Sequence, residues 1–462
     1  MKTIRIDVAV IGAGTAGLAA YRAAKAGGAS ALIIEGGPYG TTCARVGCMP
    51  SKLLIAAAEA VHHANHTELF GVHVDGEVRV DGREVMARVK SERDRFVGFV
   101  VRGVDGIPAE DKLSGYARFV DNTTLQVDDH TIVQAKRVVI ATGSSPAIPA
   151  PFKVFGDRLI VNDDVFDWDT LPRSVAVFGP GVIGLELGQA LSRLDVRVCV
   201  FGAGGGVGPL SDPAVRDYAR QALAGQFYLD PDAKVLEMAN DGDAARIRYL
   251  NLDGAEVEER FDYVLAATGR APNVRGLGLE NTSLKLDARG VPLFDAKTLQ
   301  CGDSPVFIAG DANNILPLLH EAADEGKTAG ANAAAYPAVS AGLRRSTIAV
   351  VFSDPQMMMV GSRFADLQIG SFVTGEVSFE DQGRSRVMGI NTGLLHVYAD
   401  KATGRFLGAE MIGPRAENLA HLLAWSHQQN LTVGQMLDMP FYHPVIEEGL
   451  RTALRDAAAR LA

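Results

Sequence analysis

The sequence predicts an α/β protein in which a strand–glycine turn–helix–strand unit occurs twice, followed by a smaller α+β domain. Three observations predict it. A glycine-rich unit opens the chain and recurs at a constant offset. The short run ATG, at 141–143, recurs within AATGRAPN. From about Thr347 the pattern changes to alternating strands and two helices.

The first unit starts with RIDVAVIG, residues 5–12, a mostly apolar run of strand length ending in glycine. GAGTAGLAAYRAAKAGG then carries Gly12, Gly14 and Gly17 into an Ala-rich helical stretch, and SALIIE closes the unit at Glu35. The pattern returns at SVAVFGPGVIGLELGQALSRLDVRVCVFG. An offset of 167 residues maps the three glycines onto Gly179, Gly181 and Gly184, and Glu35 onto Gly202. The first glycine permits a tight turn, the second lets backbone approach a pyrophosphate, and the third packs helix against strand. The helix N-terminus favours the negative charge. One such run is a weak signal, because glycine turns are common. Two in register define two Rossmann-like dinucleotide-binding domains. Glu35 falls where an acid accepts hydrogen bonds from a ribose without a 2′-phosphate, as in FAD or NAD.

Between the two units, helices are expected around 51–65 and 84–104, with strands in ARFVD, TLQVDD and RVVIATG. SSPAIPAPF reads as a linker into the second unit. VFIAGDANN precedes a helix over 318–335. Beyond Thr347 come the strands TIAVVF, SFVTGEVSF, LLHVYAD and RFLGAEMIG, with helices over 414–429 and 445–460. The expected boundaries are 1–149 and 275–346 for the two parts of the first nucleotide domain, 150–274 for the second and 347–462 for the α+β domain.

Composition narrows the partners. The 462 residues carry a net charge of −10, which argues against nucleic acid or an anionic membrane. No stretch reaches the ~20 apolar residues of a membrane span. MKTIRIDVAVIG lacks the apolar core of a signal peptide, and four cysteines are too few for a disulfide-stapled secreted scaffold. A cytoplasmic protein is expected, with no metal site.

Two of those cysteines stand together in TTCARVGCMPSK, residues 41–52. Along a straight helix a five-residue separation rises roughly 7.5 Å, whereas a disulfide needs Cα atoms within about 6.8 Å. If Cys43 and Cys48 bridge, the backbone bends between them; Gly47 permits this, and Pro50 suits the first turn of the next helix. A thiol near that helix terminus and a lysine would have a lowered pKa. Spacing alone leaves open a second reading, two unrelated small hydrophobes. Cys199, in VRVCVF, reads as inert core, and Cys301 has no visible redox partner. Near the end, YHPVIEEGL sets His443 before Pro444, which can start a helix, with Glu448 about one turn into it. An imidazole oriented by a carboxylate suits acid–base work on thiols. Taken alone, a His-Pro pair is more often a loop or a cap.

Together these motifs resemble the class I pyridine nucleotide–disulfide oxidoreductases over essentially the whole chain. The resemblance rests on TCARVGCMPSK, GAGTAG with Glu35, ATG, GPGVIGLELG, ATGRAPN, FIAGD at 307–311 and HPVIEE at 443–448. It implies FAD on the first unit, a nicotinamide nucleotide on the second, and a C-terminal dimerisation domain. Cys43 would be the interchange thiol and Cys48 the charge-transfer thiol, with Lys52 near the flavin and paired to Glu186. FAD would also be held by Gly12, Gly14, Gly17, Glu35, Ala117, Gly143, Asp311 and Leu319. The nicotinamide nucleotide would meet Gly179, Gly181, Val182, Ile183, Gly184, Val235 and Gly269. His443 and Glu448 would form an acid–base dyad reaching the disulfide of a second subunit, which makes a homodimer the active unit.

HEAADEG and GVIGLELG resemble the dihydrolipoamide dehydrogenase branch more than glutathione reductases. That implies oxidation of dihydrolipoamide, or of a lipoyl-carrying domain, with reduction of NAD. An NAD(P)H-dependent reductase of another small disulfide is the alternative. Three departures from the family pattern stand out. Gly40-Thr41-Thr42-Cys43-Ala44-Arg45 replaces the usual Gly-Gly-Thr-Cys-Leu-Asn, and Phe441-Tyr442-His443-Pro444-Val445 replaces His-Ala-His-Pro-Thr. Gly202 stands where NAD users place an acid, and FGAGGGVGPL also lacks the arginines of NADP users. Gly184 and the lack of arginine between Phe201 and Arg216 favour NAD, with NADP left open.

Overall fold

The computed structural model describes residues 1–461 as two compact units. The first comprises Met1–Pro50, Ser91–Ala147 and Arg270–Arg344; the second comprises Ser51–Lys90, Ile148–Gly269 and Arg345–Ala462, its last residue lying outside the described ones.

In the first unit, strand β1 (Lys2–Ile11) pairs in parallel with β2 (Ala31–Glu35) on one side and with Thr131–Ile140 on the other. Val8, Ala9 and Val10, and Ala31 to Ile34 opposite, are buried, as continuous apolar strands of a sheet covered on both faces must be. The sheet extends through Lys112–Ser114 beside β2, Val306–Ile308 beside Thr131–Ile140, and an antiparallel edge formed by Thr124–Val127 and Ala117–Phe119. Helix α1 (Thr15–Ala26) lies against Leu319–Ala335. The Ala-rich and Gly-rich composition of these two helices has a direct cause: a Cβ on Gly326 would come 2.1 Å from the Ala16 carbonyl, and one on Gly330 2.1 Å from that of Ala20.

The segment expected to be a linker is partly ordered as sheet. Ser144–Pro146 pairs antiparallel with Arg270–Pro272, so SSP and RAP, each following an ATG, make a two-stranded ribbon. Local sequence reads proline-rich residues as connection, and the long-range partner decides otherwise.

The second unit repeats the parallel motif in the order Tyr228–Asp230, Arg197–Phe201, Ser174–Phe178, Tyr263–Ala266, Leu159–Ile160. The helix Val182–Arg193 follows its glycine turn. It also holds a three-stranded antiparallel sheet, Lys234–Asn240, Ala245–Leu250 and Glu256–Phe261. Residues beyond Thr347 form a five-stranded antiparallel sheet in the order Ile348–Val351, Gln356–Gly361, Phe406–Gly413, Leu394–Asp400, Phe372–Ser378. The helices Ala416–Gln428 and Glu447–Leu461 close its core, with Leu419, Leu423, Leu450 and Leu454 buried among Val397, Phe406 and Met411. Gln356–Gly361 is a strand the sequence did not suggest, because QMMMVG has no alternation and is rich in methionine. It lies second in the sheet with Met357, Met358 and Val360 fully buried, which removes the polar half of the pattern. The last helix starts at Glu447 rather than at Pro444, so Pro444 belongs to the turn before it and Glu448 is the helix's second residue.

Candidate functional site

The two glycine turns share one geometry. Gly12 has φ +106° and Gly179 φ +110°, in the left-handed region that favours glycine. A Cβ on Gly17 would fall 1.8 Å from the Gly12 carbonyl, and one on Gly184 1.9 Å from that of Gly179. The middle glycines differ in kind: a Cβ on Gly14 or Gly181 would meet nothing within 4 Å. Each loop thus leaves open space in front of a helix N-terminus, where a pyrophosphate fits. In the first unit the side-chain hydroxyl of Thr142, beside Gly143 (φ +70°), is buried without a hydrogen-bond partner. An open cradle and an unpartnered hydroxyl at one sheet edge are chemically suited to a bound dinucleotide.

Glu35 ends β2 with both carboxylate oxygens engaged. Oε2 accepts the Ala13 N–H and Oε1 the Gly37 N–H, each at 2.7 Å. The acid therefore braces the glycine loop as well as facing the position where a ribose is expected. Asp311, in the single turn Gly310–Asn313, accepts the Ser144 hydroxyl at 2.7 Å, and Arg270 Nε donates to the same hydroxyl at 2.8 Å. Arg270 Nη2 adds a bond to the Ser144 carbonyl at 2.6 Å. Ser144 and Arg270 carry no signal of this pairing in the local sequence beyond their shared place after the repeated ATG. Ala117 is buried at the start of its strand, and Leu319 is exposed at the first position of its helix. All expected FAD contacts except Lys52 fall in the first unit, and all expected nicotinamide-nucleotide contacts fall in the second.

Cys43 lies in the short helix α2 (Thr42–Val46), and Cys48 is the first residue of helix α3 (Cys48–Asn65). Gly47 breaks the backbone between them with φ −130° and ψ −120°. The bend is tight: a Cβ on Gly47 would come 3.1 Å from the Cα of Cys43. Cys43 is half-buried, Cys48 exposed, and Pro50 occupies the third position of α3, inside its first turn. The other two cysteines are different. Burial pushes the thiols of Cys199 and Cys301 up to about 12, and for Cys199 the neighbouring Glu259 adds to the effect. Neither is a thiolate near neutrality.

In the second unit Lys52 Nζ donates to Glu186 Oε2 at 2.7 Å, with the Glu186 side chain only 4% exposed. A carboxylate this deep needs its lone pairs filled, and the Phe352 N–H donates to Oε1 at 2.9 Å. The Phe352 ring also lies 4.5 Å from Lys52 Nζ, close enough for a cation–π contact. Phe352 was another residue the sequence did not reveal, since it is 300 residues from Lys52. His443 Nδ1 stands 3.0 and 3.1 Å from the two Glu448 oxygens, and the Val445 N–H donates to Oε2 at 3.2 Å. The hydrogen bond from His443, then the one from Val445, hold the Glu448 carboxyl below its usual range. The His443 side chain is 80% exposed, so its Nε2 edge is accessible in the single chain.

Val182 is exposed and Ile183 half-buried in the first turn of Val182–Arg193, Val235 is half-buried in Lys234–Asn240, and Gly269 has φ +106° with open space at its Cβ position. Among the described residues no cluster of three or more His, Cys, Asp or Glu could hold a metal ion, and no helix is long and apolar enough to cross a membrane.

Two glycine turns with the same closures, each on a parallel sheet, define a protein built to hold two dinucleotides. Residues 6–326 match the family described as Pyridine nucleotide-disulphide oxidoreductase, and residues 347–454 its dimerisation domain. The chain belongs to this family, a family of FAD-dependent oxidoreductases, and its cofactors are FAD and a pyridine nucleotide. It is 30% identical to a dihydrolipoyl dehydrogenase of Haloferax volcanii, covering 98% of this chain and 96% of that protein. It is 29% identical to a mercuric reductase of Shigella flexneri, covering 97% and 80% respectively. Among solved structures, the HOCl-induced flavoprotein disulfide reductase RclA from Escherichia coli superposes with a TM-score of 0.81 at 21% identity, covering 98% of this chain and 99% of that one, which shows the shared fold.

Proposed function

We propose that the protein is a homodimeric dihydrolipoyl dehydrogenase that oxidises dihydrolipoamide, or a dihydrolipoyl carrier domain, with NAD as acceptor. The observation that carries the reading is the Gly47 bend, which sets Cys43 and Cys48 on either side of a helix start. Full-length similarity to dihydrolipoyl dehydrogenases supports it.

In this reading the Gly14 loop, Glu35, Thr142 and the Ser144–Asp311 pair hold FAD, and the Gly181 loop holds NAD. FAD held there would supply two-electron redox chemistry between the cysteine dithiol and a nicotinamide. The side chains do the rest. His443 of one subunit, oriented by Glu448, removes a proton from a substrate thiol at Nε2. The thiolate attacks Cys43 Sγ of a Cys43–Cys48 disulfide, breaking the S–S bond and leaving Cys48 as thiolate. The second substrate thiol then displaces Cys43, its proton passing to the released Cys43 sulfur, and closes the lipoyl ring. The substrate has lost two electrons, and the cysteine pair has gained them. Cys48 at the first position of α3 has its negative charge favoured by the helix N-terminus.

Steady-state turnover of dihydrolipoamide with NAD, compared with NADPH-driven reduction of oxidised glutathione, tests the assignment. The first reaction is expected to dominate, with Cys48→Ser abolishing turnover while FAD stays bound. His443→Gln is expected to slow the thiol half-reaction by roughly 10²-fold or more, the usual worth of a positioned acid–base group. Full turnover by Cys48→Ser would end the proposed electron path. The second reading is an NAD(P)H-dependent reductase of another small disulfide, and for a glutathione-like disulfide it predicts the opposite substrate ranking.

A further inference from the structure

The internal repeat allows the two nucleotide sites to be compared position by position. The offset that maps Glu35 onto Gly202 also maps Ala13 onto Pro180 and Gly37 onto Gly204. The strand registers agree with it, since Ile11 stands opposite Ile34 in the first sheet and Phe178 opposite Phe201 in the second.

In the first site the Glu35 carboxylate makes two bonds, to the N–H of Ala13 and to the N–H of Gly37. At the equivalent place in the second site no acid can stand. A Cβ on Gly202 would lie 2.4 Å from the Pro231 carbonyl oxygen and 2.7 Å from Pro180 Cγ. Pro180 also has no N–H to offer. Acceptor and donor of the first bond have thus been lost together.

The second bond survives with a different acid. The Gly204 N–H donates to Asp232 Oδ1 at 2.7 Å, the same distance at which Gly37 meets Glu35. Asp232 lies in the turn after Tyr228–Asp230, the strand next to Arg197–Phe201. That turn is fastened to the loop after Gly202 by backbone bonds from Gly202 to Asp230 at 2.7 Å, from Ala233 to Gly202 at 3.0 Å, and from Gly205 to Pro231 at 3.1 Å. The Asp232 N–H closes the turn on Asp230 Oδ1 at 3.1 Å.

We infer that Asp232 is the ribose-reading acid of the second nucleotide site, moved from the end of one strand to the turn after its neighbour. It is exposed and braces the loop through one oxygen. A carboxylate there accepts ribose hydroxyls and repels a 2′-phosphate, and no arginine between Phe201 and Arg216 offsets that repulsion. The site therefore selects NAD(H) over NADP(H). The inference rests on the family's use of a pyridine nucleotide, and not on which disulfide is the substrate.

Equilibrium binding to the oxidised, FAD-loaded protein tests it without turnover. Calorimetric titration with ADP-ribose and with its 2′-phosphorylated form gives two Kd values for each variant. The unmodified protein is expected to bind ADP-ribose at least roughly tenfold more tightly, the scale of one charged discrimination. Asp232→Asn keeps an oxygen for the Gly204 N–H but removes the charge, so it is expected to bring that ratio to within about threefold of one. Asp232→Ala is expected to do the same and to weaken ADP-ribose further. The inference is overturned if the unmodified protein shows no preference, if Asp232→Asn leaves the ratio unchanged, or if both ligands weaken equally, which would make Asp232 only a loop brace.

Discussion

Thr41 holds a backbone conformation, φ 58° and ψ 148°, that a β-branched residue rarely adopts. It stands two residues before Cys43, where the family pattern has glycine. Its hydroxyl accepts the Ala44 N–H at 3.4 Å, a long bond that offsets little of a backbone cost of about 1–3 kcal/mol. Thr41→Gly is therefore expected to raise stability by about 1 kcal/mol, after glycine's own entropy loss is counted. A chemical-denaturation midpoint that failed to rise would show that the strain is absorbed elsewhere. The cysteines allow a second prediction at this scale. Cys199 and Cys301 have thiols pushed up to about 12 by burial, whereas the Gly47 bend leaves Cys48 exposed. Brief alkylation of the native, dithiol-reduced protein at neutral pH should label Cys43 and Cys48 and spare the other two. Peptide mass spectrometry that found Cys199 modified would contradict the packing around its strand.

At the scale of elements, the helix Pro213–Ala224 is tied to the C-terminal sheet by an acid–base chain that runs from the buried Asp212 and His396 to the exposed Glu376. Asp212 caps the helix, its Oδ1 accepting the Ala214 N–H at 2.9 Å, while Oδ2 meets His396 Nδ1 at 2.7 Å and the Tyr398 hydroxyl at 3.0 Å. His396 Nε2 lies 2.8 Å from Glu376 Oε2. Burial alone would push the imidazole down, but its bonds to Asp212 and then Glu376 outweigh that and hold it above its ordinary value. A group raised in the folded state contributes stability that is complete below the unfolded value, ~6.5, and disappears as pH rises through the folded one. Unfolding midpoints are thus expected to fall as pH rises above about 6.5, and His396→Gln to flatten that part of the profile. A slope unchanged in His396→Gln would assign it to other groups. The same scale shows what sequence could and could not reveal. The glycine turns were legible because Gly12 and Gly17 close on each other within one loop, so no other residue fits. Gln356–Gly361 and the Ser144–Pro146 ribbon were not, because pairing with distant strands decides them. Phe352 carries no local signal for the same reason, and neither does Asp232, whose equivalence to Glu35 exists only once Tyr228–Asp230 lies beside Arg197–Phe201.

For the whole molecule, the proposed reaction depends on how chains combine. Each chain supplies a cysteine pair from its first unit and a His443–Glu448 dyad from its second. The family match assigns 347–454, which includes His443, to a dimerisation domain. With His443 exposed in the single chain, the proposed homodimer would make each site from the cysteines of one subunit and the imidazole of the other. A two-fold interface exchanges the same groups in both directions, so two sites form per dimer. Complementation tests this arrangement directly. Cys48→Ser and His443→Gln homodimers each have two disabled sites. A hybrid of the two variants joins intact cysteines to an intact imidazole at one site, and places both lesions at the other. Random reassociation makes hybrids about half of the dimers, so mixing should restore about a quarter of the unmodified activity. If cysteines and imidazole served the same chain, every site in every hybrid would carry one lesion and activity would stay at the level of the parents. Size-exclusion profiles before and after mixing, with dissociation forced by mild denaturant and then reversed, would show that exchange had occurred.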